Sequence, residues 1–381
     1  MARLGDVCIF QSGGTPSKSN DAYFGGTIPW ITTVALNGSV IGNENAVEWI
    51  TEQAIAESAA KIVPAKSIMV GTRVGVGKVA INTVPMSTSQ DIISLLQIDE
   101  SRWYKPFLCK FILSQSDYLN SQARGATIKG IKIDVLASLQ LPNIPIEQQK
   151  RIAAVLDQAD TLISLRKQQI AKLDELVKAR FVEMFETGQW STVKASNFMS
   201  NMRNGVSPSN SGTISAKVLT LSAITQGIFD KDAWKDGIFD IEPSEDKRIS
   251  SCDFYMCRGN GNKNLVGSGV YSHENYYDLV FPDTVIAAQI DTSQVMLPFL
   301  FHAWKRPFVR SQIEAGARTT NGTYKINQKV IASVEIVHPP LDLQHQFAVF
   351  VAQTDQQKLT IQHSLAQLEL LKKALMQKYF G

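Results

Sequence analysis

The second half of this chain repeats its first half, and the clearest part of the repeat is a long helical stretch that closes each half. The segment from Ile131 to Phe185 aligns without a gap with Ile326 to Phe380, at a constant offset of 195 residues. Roughly a quarter of the aligned positions are identical. The matched pairs include Val135/Val330, Ala137/Ala332, Pro145/Pro340, Gln149/Gln344, Asp160/Asp355, Leu173/Leu368 and Lys178/Lys373. A duplicated chain predicts two similar sites.

Each copy ends in a stretch whose composition predicts one long helix. Pro145 opens about 40 residues with no Gly or Pro before Gly188. Apolar residues step along both stretches by four and three positions, the spacing of a heptad seam. The seam residues are Ile152, Leu156, Ile163, Ile170 and Leu173 in the first stretch, and Phe347, Val351, Ile361, Leu365 and Leu368 in the second. Two such seams in one chain can pair with each other.

The predicted pair is an antiparallel coiled coil, because a connecting domain must lead the chain out and back. Forty helical residues would span roughly 60 Å and form a rigid spacer. The alternative is that each helix packs only on its own domain. The region before each helix alternates short apolar runs with loops rich in Gly, Asn, Ser and Thr, which is typical of mixed structure. Short strands are expected around Ile28–Ile31, Ser67–Val70 and Val79–Ile81, and one helix from Pro106 to Ser121.

The fold class predicted from these patterns is α+β. Two mixed α/β domains, 1–144 and 191–338, are separated by two spacer helices, 145–190 and 339–381, with an approximate two-fold relation between the halves. At 381 residues and 44% hydrophobic, the chain can bury a core in each domain.

Composition excludes several classes of function. No stretch approaches the roughly 20 apolar residues of a membrane span, and the start of the chain lacks an apolar signal core, so we expect a cytoplasmic protein without membrane contact. The four cysteines are scattered and the five histidines form no ligand pair, so no metal site is expected. The segment Gly71–Lys78 resembles a phosphate-binding loop but has Thr72 and Val79 where that motif needs Gly and Ser or Thr. It is better interpreted as a basic turn between strands. We find no set of residues in the sequence with the spacing of a known catalytic motif.

Positive charge is concentrated in corresponding places of the two halves, although the net charge is only +3. Arginine, lysine and asparagine are the residue types that contact guanine and adenine edges, while Ser, Thr and Gly suit phosphate oxygens. Loops that combine these types, together with Arg203, supply the candidate DNA-binding residues Thr15, Ser17, Lys18, Arg73, Lys78, Arg124, Thr127, Lys129, Arg203, Arg258, Asn260, Asn262, Lys263, Arg318, Thr320 and Lys325. A solvated charged surface, and a Gly-Asn hairpin turn at Arg258–Asn264, remain alternative interpretations.

A set of short motifs, in one order and partly duplicated, resembles the specificity subunit of type I restriction-modification enzymes over the whole chain. These motifs are Gly14-Thr15-Pro16, Tyr23-Phe24-Gly25-Gly26-Thr27-Ile28-Pro29-Trp30, Arg124-Gly125-Ala126-Thr127, Pro145-Ile146-Glu147-Gln148-Gln149, Asp157-Gln158-Ala159-Asp160, Arg258-Gly259-Asn260, Leu265-Val266-Gly267 and Pro339-Pro340-Leu341. The second helix has Asp342-Leu343-Gln344-His345-Gln346 where that family usually has a Glu-Gln pair.

The resemblance implies a non-catalytic subunit with two target recognition domains, each reading one half of a split DNA sequence. It also implies that the helices serve as spacer and as docking surface for two methyltransferase subunits, through which restriction subunits join. S-adenosylmethionine, ATP and magnesium would then belong to the partner subunits, and this chain would hold no cofactor. The main alternative is a protein-binding scaffold without DNA specificity, and a second is an enzyme of unrecognised type.

Overall fold

The computed structural model describes residues 2–125, 127–209, 211–320 and 322–381, and it does not describe the side chain of Thr320. The chain divides into two compact units. Unit 1 comprises Met1–Lys167 and His363–Gly381, and unit 2 comprises Gln168–Gln362. Each unit thus combines one mixed domain with part of both long helices. The linear domain boundaries expected from the sequence group the residues differently, and they stay a prediction.

The described residues of unit 1 form nine strands in two sheets. The strands are β1 Ile9–Ser12, β2 Phe24–Ile31, β3 Val40–Ile41, β4 Glu48–Ile50, β5 Ile62–Val63, β6 Ile68–Gly71, β7 Val79–Asn82, β8 Met86–Thr88 and β9 Ile92–Leu96. The first sheet has the order β1-β9-β6-β7-β3 and the second has β4-β2-β8-β5. The helices that begin in this half are α1 Glu52–Glu57, α2 Lys105–Ser114, α3 Ser116–Ser121, α4 Ile133–Ala137 and the long α5 Ile146–Phe185.

Unit 2 repeats this plan with additional short strands. The strands are β10 Thr192–Lys194, β11 Met199–Asn204, β12 Ile214–Leu219, β13 Trp234–Phe239, β14 Arg248–Ile249, β15 Asp253–Cys257, β16 Gly259–Asn260, β17 Gly269–Tyr271, β18 Tyr276–Val280, β19 Val285–Ile290, β20 Arg318–Thr320, β21 Thr323–Lys325 and β22 Glu335–Val337. The helices are α6 Ser222–Thr225, α7 Leu297–Trp304, α8 Pro307–Gly316, α9 Gln328–Ser333 and the long α10 Leu341–Phe380.

The two mixed domains share one sheet topology. In unit 2 the sheets have the orders β11-β19-β15-β17 and β13-β12-β18-β14, which match those of unit 1 strand for strand apart from the additional β3. Each second sheet contains one parallel pair, β2 with β8 and β12 with β18, among antiparallel neighbours. The repeat seen in the sequence around the long helices therefore extends, as a fold, through the domains that precede them.

The central strand of each first sheet is buried on both faces. In β6 the side chains of Ile68 and Val70 join the core under α2, whereas Met69 points into the core on the other face. In β15 the equivalent alternation places Phe254 on the helix side and Tyr255 on the opposite side. A strand that is buried on both faces consists of consecutive apolar residues. For this reason the two segments do not alternate between apolar and polar residues in the sequence.

The predicted α+β class and the two long helices are confirmed. Both α5 and α10 are 40 residues long, and each begins directly after a proline, Pro145 or Pro340. The single helix expected from Pro106 to Ser121 is wrong, because α2 ends at Ser114 and α3 begins at Ser116. The Ser116 hydroxyl donates to the carbonyl of Leu113 at 2.6 Å and to that of Gly77 at 3.1 Å, so a side chain competes for the helix carbonyls there.

Candidate nucleic-acid interface

In unit 1 the structure brings together two basic loops that are about 50 residues apart in sequence. The turn from Gly71 to Lys78 connects β6 to β7, as expected, and the loop 124–130 lies beside it. Arg124 and Gly130 exchange backbone hydrogen bonds of 2.9 and 3.0 Å, and the backbone nitrogen of Ile131 donates to the Thr72 carbonyl at 2.9 Å. Gly130 lies against the Arg73 side chain, since a Cβ atom added there would be 2.9 Å from Arg73 Cγ.

We call this surface the domain 1 face, defined by Arg73, Lys78, Arg124, Thr127 and Lys129. All five side chains are exposed. Thr127 and Lys129 line a groove of about 500 Å³ between the two loops. The stem of Lys78 covers Gly75, whose φ of +89° is one that glycine adopts without strain. Among the described residues the two arginines form no ion pair, so their guanidinium groups are available to a ligand.

In unit 2 the corresponding loops are joined by a small sheet of order β16-β21-β20. Gly259 pairs with Lys325, Asn260 pairs with Tyr324, and Arg318 pairs with Lys325 across the hairpin. We call this surface the domain 2 face, defined by Arg258, Asn260, Asn262, Lys263, Arg318 and Lys325. The predicted residues Arg258–Lys263 and Arg318–Lys325 are therefore neighbours in space. Thr320 belongs to the same hairpin, but its side chain lies outside the described residues.

Two arginines of the predicted set are engaged within the protein. Arg258 Nη1 donates to the Asp283 carbonyl at 3.1 Å, which ties the loop after β15 to the turn before β19. Arg203 forms an ion pair with Asp253, whose side chain is 2% exposed. A buried carboxylate requires such a partner, so this arginine stabilises the sheet. Their predicted contacts with DNA stay predictions, and Arg318 has the freer guanidinium of the domain 2 face.

The asparagines of the domain 2 face shape their own loop. Asn260 Oδ1 accepts a hydrogen bond from the backbone nitrogen of Asn262 at 2.8 Å, and Asn262 Oδ1 accepts one from that of Asn264 at 3.0 Å. These are consecutive Asx turns. Each turn uses the side-chain oxygen, so the Nδ2 group remains the donor that a base or phosphate would meet. Lys263 is exposed at the tip.

The first predicted loop, with Thr15, Ser17 and Lys18, belongs to a different part of unit 1. Trp30 Nε1 donates to the Gly14 carbonyl at 3.1 Å, so the loop is held against the second sheet. Lys18 lies 3.5 Å from Glu48, and Ser17 shares a hydrogen bond with Ser19. The three predicted side chains are exposed. Of the three, Lys18 contacts the second sheet through Glu48, and Ser17 bonds within its own loop.

The seam residues of the long helices pack inside each unit. In unit 1, Ile152 and Leu156 are buried in the core, and Ile163, Leu365 and Leu368 are half-buried. In unit 2, Phe347 and Val351 are buried, and Ile170, Leu173 and Ile361 are half-buried. A partner-docking role for the buried members would therefore have to act through neighbouring exposed positions.

The direction of helix pairing is fixed by ion pairs within each unit. In unit 1, Lys167 lies 3.0 Å from Glu369, and Asp160 bonds to Lys372. In unit 2, Asp174 lies 2.6 Å from Lys358, and Phe185 packs edge-on against Phe347 with ring centroids 5.5 Å apart. Within each unit, a contact residue that lies later in α5 pairs with one that lies earlier in α10. The two helices therefore run antiparallel, as predicted. The alternative of each helix packing only on its own domain is wrong.

A pair of buried glutamines was missed as a functional element of the repeat. Gln149 Oε1 accepts from the backbone nitrogen of Tyr104 at 2.9 Å, and Gln344 Oε1 accepts from that of Met296 at the same distance. Their Nε2 groups donate to the carbonyls of Ile144 and Pro339. Each glutamine thus connects the start of a long helix to the mixed domain that precedes it. The signal in the sequence was their identity at equivalent positions of the repeat.

The described cysteines and potential metal ligands show two features that bear on catalysis. Burial raises the pKa of the Cys8 and Cys109 thiols to about 12 and that of Cys257 to about 11, which keeps them protonated and poorly nucleophilic. Throughout the described ranges, no three His, Cys, Asp or Glu side chains are grouped so that they could hold a metal ion. No described helix is long and apolar enough to cross a bilayer.

Comparison with known proteins finds similarity to one family. Residues 1–175 match the model of the type I restriction modification DNA specificity domain. The chain is 31% identical over 189 residues to the type I restriction enzyme MjaIX specificity subunit of Methanocaldococcus jannaschii, a match covering 49% of this chain and 43% of that protein. It is 24% identical over 341 residues to the EcoKI specificity subunit of Escherichia coli K12, covering 81% and 72%.

A solved structure extends the similarity of fold to the whole chain. The type I restriction-modification S subunit from M. genitalium superposes with a TM-score of 0.60 at 15% identity, over 100% of this chain and 95% of that one. The match to the Methanocaldococcus relative spans less than half of that relative's length.

Proposed function

We propose that the chain is a specificity subunit of the type I restriction-modification family, to which it is similar, and that it recognises a bipartite DNA sequence, one half with each mixed domain. The observation that carries this proposal is the duplication of a cationic surface. The domain 1 face follows strand β6 and the domain 2 face follows the equivalent strand β15, and each adjoins the loop that leads towards a long helix. Equivalent positions in two copies of one fold support two DNA contacts of the same kind.

The two faces differ in the side chains that they present, which suits an asymmetric target. Arg73 and Arg124 are available in domain 1, while Arg318 and the amides of Asn260 and Asn262 are available in domain 2. Arginine bonds in a bidentate manner to guanine, and asparagine does so to adenine. Lysines such as Lys129 and Lys263 suit phosphates, which position the domain but carry no sequence information.

The chain itself would be non-catalytic. Two methyltransferase subunits would dock on the long helices and restriction subunits would join through them, so that S-adenosylmethionine, ATP and magnesium act in the partners. The exposed apolar residues on the helices, among them Leu162 and Leu370 in unit 1 and Val349 and Leu359 in unit 2, offer surface for such docking. Base flipping and methyl transfer would be carried out by the methyltransferase. The chain would act in the cytoplasm, together with the DNA that it reads.

The proposal is tested by DNA binding of the full chain purified with its methyltransferase partner. We expect sequence-selective binding that weakens steeply with salt, because each neutralised phosphate releases counterions. Replacing Lys129 or Lys263 by alanine should lower the slope of log affinity against log salt by about one, uniformly across sequences. Arg102→Ala, an exposed arginine outside both faces, is the matched control and should change neither slope nor selectivity. Binding without sequence preference would refute the proposal and favour a scaffold.

A further inference from the structure

The domain 1 face contains two exposed branched aliphatic side chains among its cations. Val74 is 56% exposed and Ile128 is 58% exposed. Val74 lies beside Arg73 on the β6–β7 turn, and Ile128 lies beside Lys129 on the second loop. Both side chains line the groove of about 500 Å³ between these loops. Single exposed apolar residues are common on protein surfaces, but two that share a groove on a cationic face suggest that a ligand covers them.

The loops that display these side chains are held in place by hydrogen bonds. Asn120 Nδ2 donates to the Val76 carbonyl at 3.0 Å, and Ser116 Oγ donates to that of Gly77. The Arg124–Gly130 bridge closes the second loop at its base. A rigid display lowers the entropic cost of binding a ligand at the groove.

The charge around the groove selects a polyanion as the occupant. The segments 71–78 and 124–132 carry Arg73, Lys78, Arg124, Lys129 and Lys132, and they contain no acidic residue. A protein that covered the apolar groove would also need several carboxylates to pair with these cations. A DNA duplex supplies phosphates on both sides of each of its grooves. Within the major groove, the one apolar group on a base edge is the C5-methyl of thymine.

We propose that Val74 and Ile128 contact thymine methyl groups, so that the half-site read by domain 1 contains at least one A·T pair recognised through its methyl group. This inference rests on the proposed function and deepens it, since it assigns a base class to one half-site. The domain 2 face provides the contrast. In its described residues 258–267 and 316–326, no large apolar side chain is strongly exposed, and amide and hydroxyl groups take those positions. Loss of thymine methyl groups should therefore weaken DNA binding more in one half-site than in the other.

The test uses the full chain with its methyltransferase partner and a duplex containing the recognised sequence. Thymines are replaced by deoxyuridine, which lacks only the methyl group, in each half-site separately. Deoxyuridine in one half-site should weaken binding by about two- to fourfold for each methyl group contacted, the effect of losing one buried methyl. The double substitution Val74→Ala with Ile128→Ala should weaken binding to thymine DNA and abolish that difference. Val47→Ala, which shortens a similarly exposed side chain outside the groove, should leave the difference intact.

Several outcomes would overturn the inference. It fails if deoxyuridine has no effect in either half-site, if its effect survives the double substitution, or if neither half-site contains an A·T pair. It also fails if the double substitution removes methyltransferase binding while the deoxyuridine response is unchanged, because the groove would then be a protein contact. Absence of any sequence-selective binding by the unsubstituted complex would instead refute the proposed function, so the two failures are distinguishable.

Discussion

Replacing Lys110 by methionine should loosen the attachment of the first mixed domain to the long helices. Lys110 extends from α2, and its side chain is only 6% exposed. Its ammonium group lies 2.9 Å from Asp157 and 2.7 Å from Asp160, both on α5, and Asp160 also bonds to Lys372 on α10. Methionine has a similar length but no charge, so the substitution removes the ion pairs without leaving a large cavity.

The magnitude follows from how far each group is buried. Removing one partner of a buried ion pair typically costs about 3–5 kcal/mol. The side chains of Asp157 and Asp160 are 57% and 34% exposed, so solvent screens their charges. Asp160 also still pairs with Lys372 in the variant, and both effects reduce the cost. We expect a loss of about 2 kcal/mol in the free energy of unfolding of unit 1. Lys150→Met is the matched control, because Lys150 pairs with Glu147 on the surface of α5 and should lose less than about 0.5 kcal/mol.

The same cluster makes a prediction about pH. Burial disfavours the charge of Asp160, but hydrogen bonds from Lys110 and Lys372 outweigh it and hold the pKa of the carboxyl group below its usual range. A depressed carboxyl pKa contributes stability above the unfolded-state pKa, and this contribution is lost as the pH falls through the folded-state pKa. Burial likewise disfavours the charge of Lys110, yet its two carboxylate partners raise its pKa. That contribution is present below the ordinary lysine pKa and is lost as the pH rises through the raised value.

Hydrogen exchange of α2 and urea unfolding, measured on the full chain between acidic and alkaline pH, provide the assay. The difference between the unsubstituted chain and Lys110→Met should be constant around neutrality and shrink at both extremes. If Lys110→Met were no less stable than Lys150→Met, or if the difference grew at acid pH, the ion pairs of Lys110 would not stabilise unit 1.

Three further substitutions test other parts of the structure. Gln344→Leu should cost about 2–4 kcal/mol in unit 2, because it leaves buried backbone groups of Met296 and Pro339 without partners, and thermal unfolding should show no comparable loss for the exposed Gln346→Leu. Phe380→Ala should cost about 2 kcal/mol in unit 1 by removing ring contacts with α2, as measured by urea unfolding, and unit 2 should be unaffected. Arg318→Ala should relax discrimination at one base pair by about 1–3 kcal/mol in a binding selection from randomised half-sites, and equal weakening for all sequences would assign this arginine to phosphate.

The sequence predicted the helices well because their pattern is local. A proline start, forty residues without Gly or Pro, and a steady heptad spacing leave few alternatives to a long helix. The antiparallel pairing also followed from the chain connection alone. The break at Ser116 was not predictable, since it depends on a hydroxyl contact with Gly77, a residue 39 positions away.

The sequence predicted which types of residue form the candidate interface, but not which role each residue has. Arg258 and Arg318 look equivalent in sequence, yet only the structure shows that the first donates to the Asp283 carbonyl. The pairing of the Arg73 turn with the Arg124 loop is a tertiary contact that no local pattern reveals. Val74 and Ile128 were overlooked because an apolar residue in a loop is usually assigned to a core, and their exposure is evident only in three dimensions.

Methylome sequencing of cells that express the chain with its methyltransferase partner would show whether the two domains read two halves of one target. We expect one asymmetric motif in two defined parts, separated by a fixed number of unspecified base pairs. Arg73→Ala should change the specificity of one part only, and Arg318→Ala that of the other. A continuous motif, the absence of any motif, or a change in both parts from either substitution would rule out recognition of one half by each domain.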